Sequence, residues 1–224
     1  MPGSTSPAPF TALLFGLSGC LVDFGARTLP IAQQHSRLAQ PPTRLDDEQL
    51  LPALLAAASE CAEALPQADE LLALLQRQHL PCSWLEELPA AVCAELGKVV
   101  PAWVRPMPLR GARPWPAPDT LWQALSELQV ERLEGCVLIA SEPRLLQAGL
   151  NAGLWCIGLA TCGTLCGLAL GDWQALEGKQ REQLRASATL SLYRLGAHSV
   201  IDHLGELPAC LEDLAARRQK GEKP

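Results

Sequence analysis

Aromatic side chains are scarce in this 224-residue chain, at 4% of the residues, although 48% are hydrophobic. Leucine and alanine must therefore do most of the packing, and both favour helices because they lose little rotamer freedom there. Basic charge is also short. The net charge is −6 and the pI is near 5.3. The only basic run, Arg217 to Lys223, reads as a solvated tail, so no stripe exists for tracking nucleic acid. The N-terminus MPGSTSPAPF lacks the charged start and long apolar middle of a secretory leader. Its nine cysteines are accordingly expected to be reduced thiols in the cytoplasm. Cys156, Cys162 and Cys166 lie close in sequence but match no zinc spacing, and His198 and His203 do not complete one. A long uncharged stretch does occur, from Leu145 to Gly171, with Gly163, Gly167 and Gly171 at a helix-dimer spacing. Gln147, Asn151, Thr161, Thr164 and the glycines interrupt it. A buried helix, strand and loop in succession account for it better than a membrane span.

The stretch FTALLFGLSGCLVDFG, Phe10 to Gly25, organises the rest. Ala12 to Phe15 is a short apolar run that feeds a loop rich in glycine and serine, the pattern of a buried strand ending in a sharp turn. Residues 26–45 are polar and broken by Pro30, Pro41 and Pro42. Asp46–Leu65 and Pro66–His79 carry leucines at helical spacing. Leu80–Cys82 is a weak strand candidate, and Ser83-Trp84-Leu85-Glu86 has capping-box spacing, which predicts a helix from Ser83 to about Leu96. Val99–Val104 is expected as a strand, Arg105–Pro118 as a proline-rich connector and Asp119–Gln129 as a helix. Cys136–Ala140 and Leu154–Leu159 are expected as buried strands, with Ser141 capping the helix between them. A long helix over Trp173–Leu195, a strand at His198–Ile201 and a helix over Glu206–Arg218 complete the series. Strands alternating with helices predict an α/β fold with a parallel sheet covered on both faces. Its ligands would sit beyond the strand ends at Gly16, Ser83 and Ser141. No internal repeat is visible.

Phe15, Gly19, Val22, Asp23, Phe24 and Gly25 resemble the first motif of the haloacid dehalogenase superfamily, in its phosphonoacetaldehyde hydrolase branch. Gly111-Ala112-Arg113-Pro114-Trp115-Pro116 resembles that branch's third motif. Gly149, Asn151, Ala152, Gly153, Trp155 and Gly158 match the signature after its fourth motif. Leu195-Gly196-Ala197-His198 with Ile201 fits its closing helix–strand junction. The resemblance implies a Rossmannoid sheet with an α/β core over 10–25 and 66–219. It also implies a shortened helical cap over 26–65. The Pro/Ser-rich start (1–9) and the tail (220–224) are expected from composition to be disordered. The resemblance assigns the nucleophilic aspartate to Gly16, the two Mg²⁺-binding aspartates to Ser141 and Leu145, and the phosphate-holding cation to Arg113.

Those assignments leave three carboxylates absent around one metal. Phosphoryl transfer through an enzyme carboxylate needs both the nucleophile and neutralisation of charge on the moving group. Glu142 neighbours a lost ligand but is displaced by one residue, and Mg²⁺ demands well-placed oxygen donors. The Schiff-base lysine that the branch carries in its insert is missing as well, since no lysine precedes Lys98. Cys20 with Arg27 brackets one residue too many for a cysteine-phosphatase loop. The expectation is a protein without nucleophile, metal or other cofactor, leaning away from catalysis. An anion site remains, built from Leu17, Ser18, Gly19 and Cys20 with Ser83, Arg113 and Ser141. Its ligand would be a phosphate or phosphonate metabolite, or the chain would serve a protein partner. A hydrolase with altered catalytic residues is the alternative, and neither nucleic acid nor membrane is an expected partner.

Overall fold

β1, Ala12–Gly16, is apolar throughout and buried along its whole length. Continuous apolar strands of this kind belong in the middle of a parallel sheet, covered on both sides. The computed structural model describes residues 10–36, 49–107 and 111–224. The expected disordered start at 1–9, the Pro41–Pro42 break and the beginning of the helix expected from Asp46 lie outside the described residues.

Within them, β1 pairs in parallel with β2 (Cys82–Leu85) on one side and with β4 (Cys136–Ala140) on the other. Beyond β2 lies the edge strand β3 (Arg105–Pro106), and beyond β4 lie β5 (Trp155–Leu159) and then the other edge strand, β6 (Ser199–Ile201). The six-stranded order is β3-β2-β1-β4-β5-β6, so the chain reverses its direction of travel across the sheet at β1. Side chains alternate along a strand. Leu13 and Phe15 enter one core with helices α2 (Leu51–Cys61), α3 (Ala68–Arg77), α4 (Ala90–Leu96) and α9 (Leu207–Gln219). Ala12 and Leu14 enter the opposite one with α5 (Asp119–Glu127), α6 (Pro143–Asn151) and α8 (Gly178–Leu195). This is the expected Rossmannoid α/β sheet.

Several boundaries differ from the sequence reading. Thr28–His35 is a helix, α1, where only a polar, proline-broken segment was expected. Cys82–Leu85 is strand rather than the start of a helix, because the Ser83 hydroxyl donates to the carbonyl of Arg105 on the neighbouring strand (2.8 Å) and Trp84 is buried in the core. The helix that follows begins at Ala90. Val99–Val104 is not strand: a turn of 3₁₀ helix at Gly97–Val99 leads to Pro101, which has no N–H to donate to a ladder. The helix expected over Trp173–Leu195 is two, α7 (Leu170–Ala175) and α8, separated by extended Leu176 and Glu177. The Arg181 guanidinium caps the break, donating to the carbonyls of Gln174 (2.7 Å) and Leu176 (3.0 Å). At the C-terminus, Arg217 and Arg218 are not merely solvated. Their guanidinium groups stack over Trp155 (5.1 Å) and Phe10 (5.4 Å), where cation–π attraction holds them.

The uncharged stretch after Leu145 is spent on α6, β5 and a loop, and no helix among the described residues is long and apolar enough to cross a membrane.

Candidate functional site

The chain reverses direction at β1, so the crevice beyond the carboxyl ends of β1, β2 and β4 is where an α/β sheet receives a ligand. A cleft of about 180 Å³ lies there. Its floor is Gly16, Leu85 and Leu145, its walls include Leu29, Leu88 and Trp115, and Ser18, Glu86, Glu87, Glu142, Arg144 and Thr164 bring polar groups.

Asp23 shapes the first loop. Its Oδ2 accepts from the Ser18 hydroxyl (2.7 Å), the Thr28 amide (3.0 Å) and the Thr28 hydroxyl (2.7 Å), while Oδ1 accepts from the Arg27 amide (2.9 Å). One buried carboxylate thus ties the loop to the N-terminus of α1, where backbone amides lack partners of their own.

The four amides expected to form an open anion nest are all engaged. Leu17 donates to the Leu85 carbonyl (3.1 Å), Gly19 to Val22 (2.8 Å) and Cys20 to Leu17 (3.2 Å). Ser18 donates to Oε2 of Glu86 (3.1 Å), and Oε1 of the same carboxylate accepts from the Glu87 amide (2.8 Å). Burial pushes the Glu86 carboxyl up to about 7; the amides of Ser18, Glu87 and Leu88 pull it back, and Glu142 adds a smaller upward push. Next to it, Glu87 accepts from the Trp115 amide (2.6 Å) and pairs with the Arg144 guanidinium (3.1 Å), which also donates to the Trp115 carbonyl. Burial raises the Glu87 carboxyl, against the pull of Trp115 and Arg144.

The other expected site residues fall as follows. Gly16 and Leu145 meet: a β-carbon at Gly16 would lie 3.4 Å from Leu145 Cδ2 and 3.5 Å from Cys20 Cβ. Cys20 is fully buried, and burial drives its thiol far above the usual range. Ser83 is buried inside β2 and heads no helix. Ser141 does not cap α6. Glu142 does, accepting from the Arg144 amide (3.2 Å), while the Ser141 hydroxyl is buried without a partner. It is wedged where β-carbons of Gly19 and Gly163 would be, 2.7 and 2.5 Å from those positions. Arg113 is off the cleft. Its exposed guanidinium forks onto Asp119 (2.7 and 2.9 Å), the first residue of α5. The cation on the cleft is Arg144, and sequence reasoning missed it together with Glu86, Glu87 and the wall residue Leu29. The available signal was the pair of acids directly after the β2 run, masked by its capping-box spacing. Among the described residues no three His, Cys, Asp or Glu side chains are grouped to hold a metal ion.

No family model matches the chain. It is 34% identical over 144 residues, 62% of its length, to a phosphonoacetaldehyde hydrolase of Klebsiella pneumoniae, and that match covers 51% of the relative. The chain spans about half the length of the curated relatives it matches most strongly. A phosphonoacetaldehyde hydrolase-like protein from Oleispira antarctica superposes over 100% of both chains with a TM-score of 0.84 at 22% identity. A HAD family hydrolase from Deinococcus radiodurans, solved with bound phosphate and sodium, superposes over 93% of this chain and 97% of its own with a TM-score of 0.63 at 23% identity. The sheet order, the motifs along it and these relatives agree: the chain has the haloacid dehalogenase-like fold and is similar to phosphonoacetaldehyde hydrolases.

Proposed function

We propose that this protein is a non-catalytic member of the phosphonoacetaldehyde hydrolase-like group, using the cleft at the end of β1 to bind a small phosphate or phosphonate in a regulatory role. The observation that carries the reading is the packing of Gly16 against Leu145 at the cleft floor. These are two of the positions to which the resemblance assigns the nucleophile and the metal ligands. Neither residue carries a side-chain oxygen, so neither supplies the nucleophile or a ligand for the cation that neutralises charge in phosphoryl transfer. The nearby carboxylates do not fit a divalent ion either. Glu86 is held by backbone amides, Glu87 by Arg144, and Glu142 by the first turn of α6. The apolar walls suit the short carbon chain of an organophosphonate, and Arg144, already engaged by Glu87 and the Trp115 carbonyl, would share its guanidinium with the anionic end.

The test is phosphate release from phosphonoacetaldehyde and from a simple aryl phosphate, with Mg²⁺ present. The expected rate equals that of buffer. A second reading, a hydrolase with altered residues, draws on Glu142, which faces the cleft. Mg²⁺-dependent turnover that disappears in Glu142→Gln would establish it and end the non-catalytic one.

A further inference from the structure

Glu86 lines the cleft and holds a carboxylate on backbone amides there. Its two carboxylate oxygens accept from the amides of Ser18 (3.1 Å) and Glu87 (2.8 Å), and the Leu88 amide contributes as well. Converging backbone amides of this kind form a concave anion site, and here the chain fills it with its own side chain. We propose that Glu86 is an internal competitor for the cleft: ionised, it occupies the amide nest and repels oxyanions, and neutralised or withdrawn it yields the nest to them. The proposal rests on the cleft being the binding site and adds the rule for admission to it.

The geometry provides for withdrawal. Glu86 borders two spaces, the β1 cleft and a second groove formed with Trp84, Cys93, Pro106 and Met107, and the second is where a withdrawn side chain would turn. Burial mainly sets the pH at which competition ends, and the ionisable groups around Glu86 adjust it. Glu142 at the head of α6 raises the Glu86 carboxyl. Glu87 on the same loop is compensated by Arg144. Cys93 on α4, pushed up to about 12 mainly by burial, stays neutral throughout. On the β1 loop, Asp23 is turned away and holds the Ser18 hydroxyl. With the Glu86 carboxyl pushed up to about 7, the competitor loses its charge just below neutrality.

Sulfate is the probe, because its charge does not change between pH 5.5 and 8.5. Its affinity for wild type, Glu86→Ala and Glu86→Gln would be measured by titration calorimetry, with chloride at matched ionic strength as the screening control. At pH 8, Glu86→Ala should bind sulfate at least tenfold more tightly than wild type. Wild-type affinity should rise as pH falls through 7, by up to tenfold per pH unit because one proton is taken up, whereas Glu86→Gln should give a flat profile. If Glu86→Ala folds poorly, its melting temperature should still rise with sulfate more than wild type's does. Equal affinity of all three proteins, or a pH slope that survives in Glu86→Gln and so belongs to Glu87 or Glu142, would overturn the proposal. So would the absence of sulfate binding in every variant. None of these results bears on the turnover assay, so the admission rule and the non-catalytic reading fail separately.

Discussion

Gly16 has no side chain, and its backbone does not need glycine: its φ is not positive and an added β-carbon meets only ordinary contacts at 3.4 Å or more. Gly16→Ala should therefore change stability by less than about 1 kcal/mol. Gly16→Asp is different. It would place an unpaired carboxylate against Leu145 in a cleft that already holds Glu86 and Glu142. Desolvation and like charge both oppose it, and a cost of about 2–4 kcal/mol in urea unfolding at pH 7 is expected. No aspartyl-phosphate should form, and its detection would show that a metal can still assemble there. Glu86 carries a pH signature of its own. Its carboxyl is raised from 4.5 to about 7 on folding, so between those values the folded state keeps a proton that the unfolded state has lost. Stability from this group is thus greatest at low pH and falls as pH rises through about 7, by up to about 3 kcal/mol. Glu86→Gln cannot ionise. Its stability relative to wild type should improve by about 1–3 kcal/mol between pH 5 and pH 8, and an unchanged difference would mean that Glu86 titrates normally.

At the scale of elements, α1 depends on one residue outside it. Asp23 lies in the left-handed region (φ +58) and accepts four hydrogen bonds, three of them from Arg27 and Thr28 at the start of α1. Asp23→Ala should cost about 2–4 kcal/mol, because buried donors lose a charged acceptor. Asp23→Asn, which tolerates the same backbone and keeps one acceptor oxygen, should cost roughly half as much, and equal losses in denaturant unfolding would sink this capping role. The same residue explains why α1 escaped the sequence reading: Thr28–His35 is short and carries Pro30, and the carboxylate that holds its first amides sits upstream at Asp23. Strands β1, β4 and β5 were legible because full burial demands an unbroken apolar run. β2 was misplaced because Ser83-Trp84-Leu85-Glu86 satisfies a capping-box pattern, and only the neighbouring strand shows that the serine bonds to Arg105 instead. The position of the site was legible from the strand ends. Its chemistry was not. Whether a loop amide is free, or already taken by Glu86 sixty-eight residues away, depends on side-chain reach across the sheet. Arg113 was credited with the site by its motif, but Asp119, six residues on, captures it in a bidentate fork.

At the scale of the whole molecule, the helices that follow the β1 loop share one core with the sheet. Leu54 and Ala57 of α2 lie in the same buried cluster as Leu13 and Phe15 of β1 and Leu207 and Leu211 of α9. The segment expected as a shortened helical cap over 26–65 therefore contributes, through Ala32 of α1 and Leu54 and Ala57 of α2, side chains to the core on one face of the sheet. A lid with its own core could melt alone. Helices sharing the sheet's core cannot leave without exposing it, and a single cooperative transition follows. Leu54 is fully buried, so Leu54→Ala should cost about 2–5 kcal/mol from lost transfer energy and the cavity left behind. The decisive point is the form of the change. Fluorescence reports on tryptophans on both faces of the sheet, Trp84 in the α2 core and Trp115 in the opposite one, and far-ultraviolet dichroism reports on the helices. In wild type and in Leu54→Ala the two signals should superpose across the denaturant transition, with the midpoint lowered in the variant and the slope unchanged. An early dichroism loss in Leu54→Ala, with tryptophan fluorescence still native, would mean that the helices after β1 unfold independently and that the molecule is a core with a detachable cap.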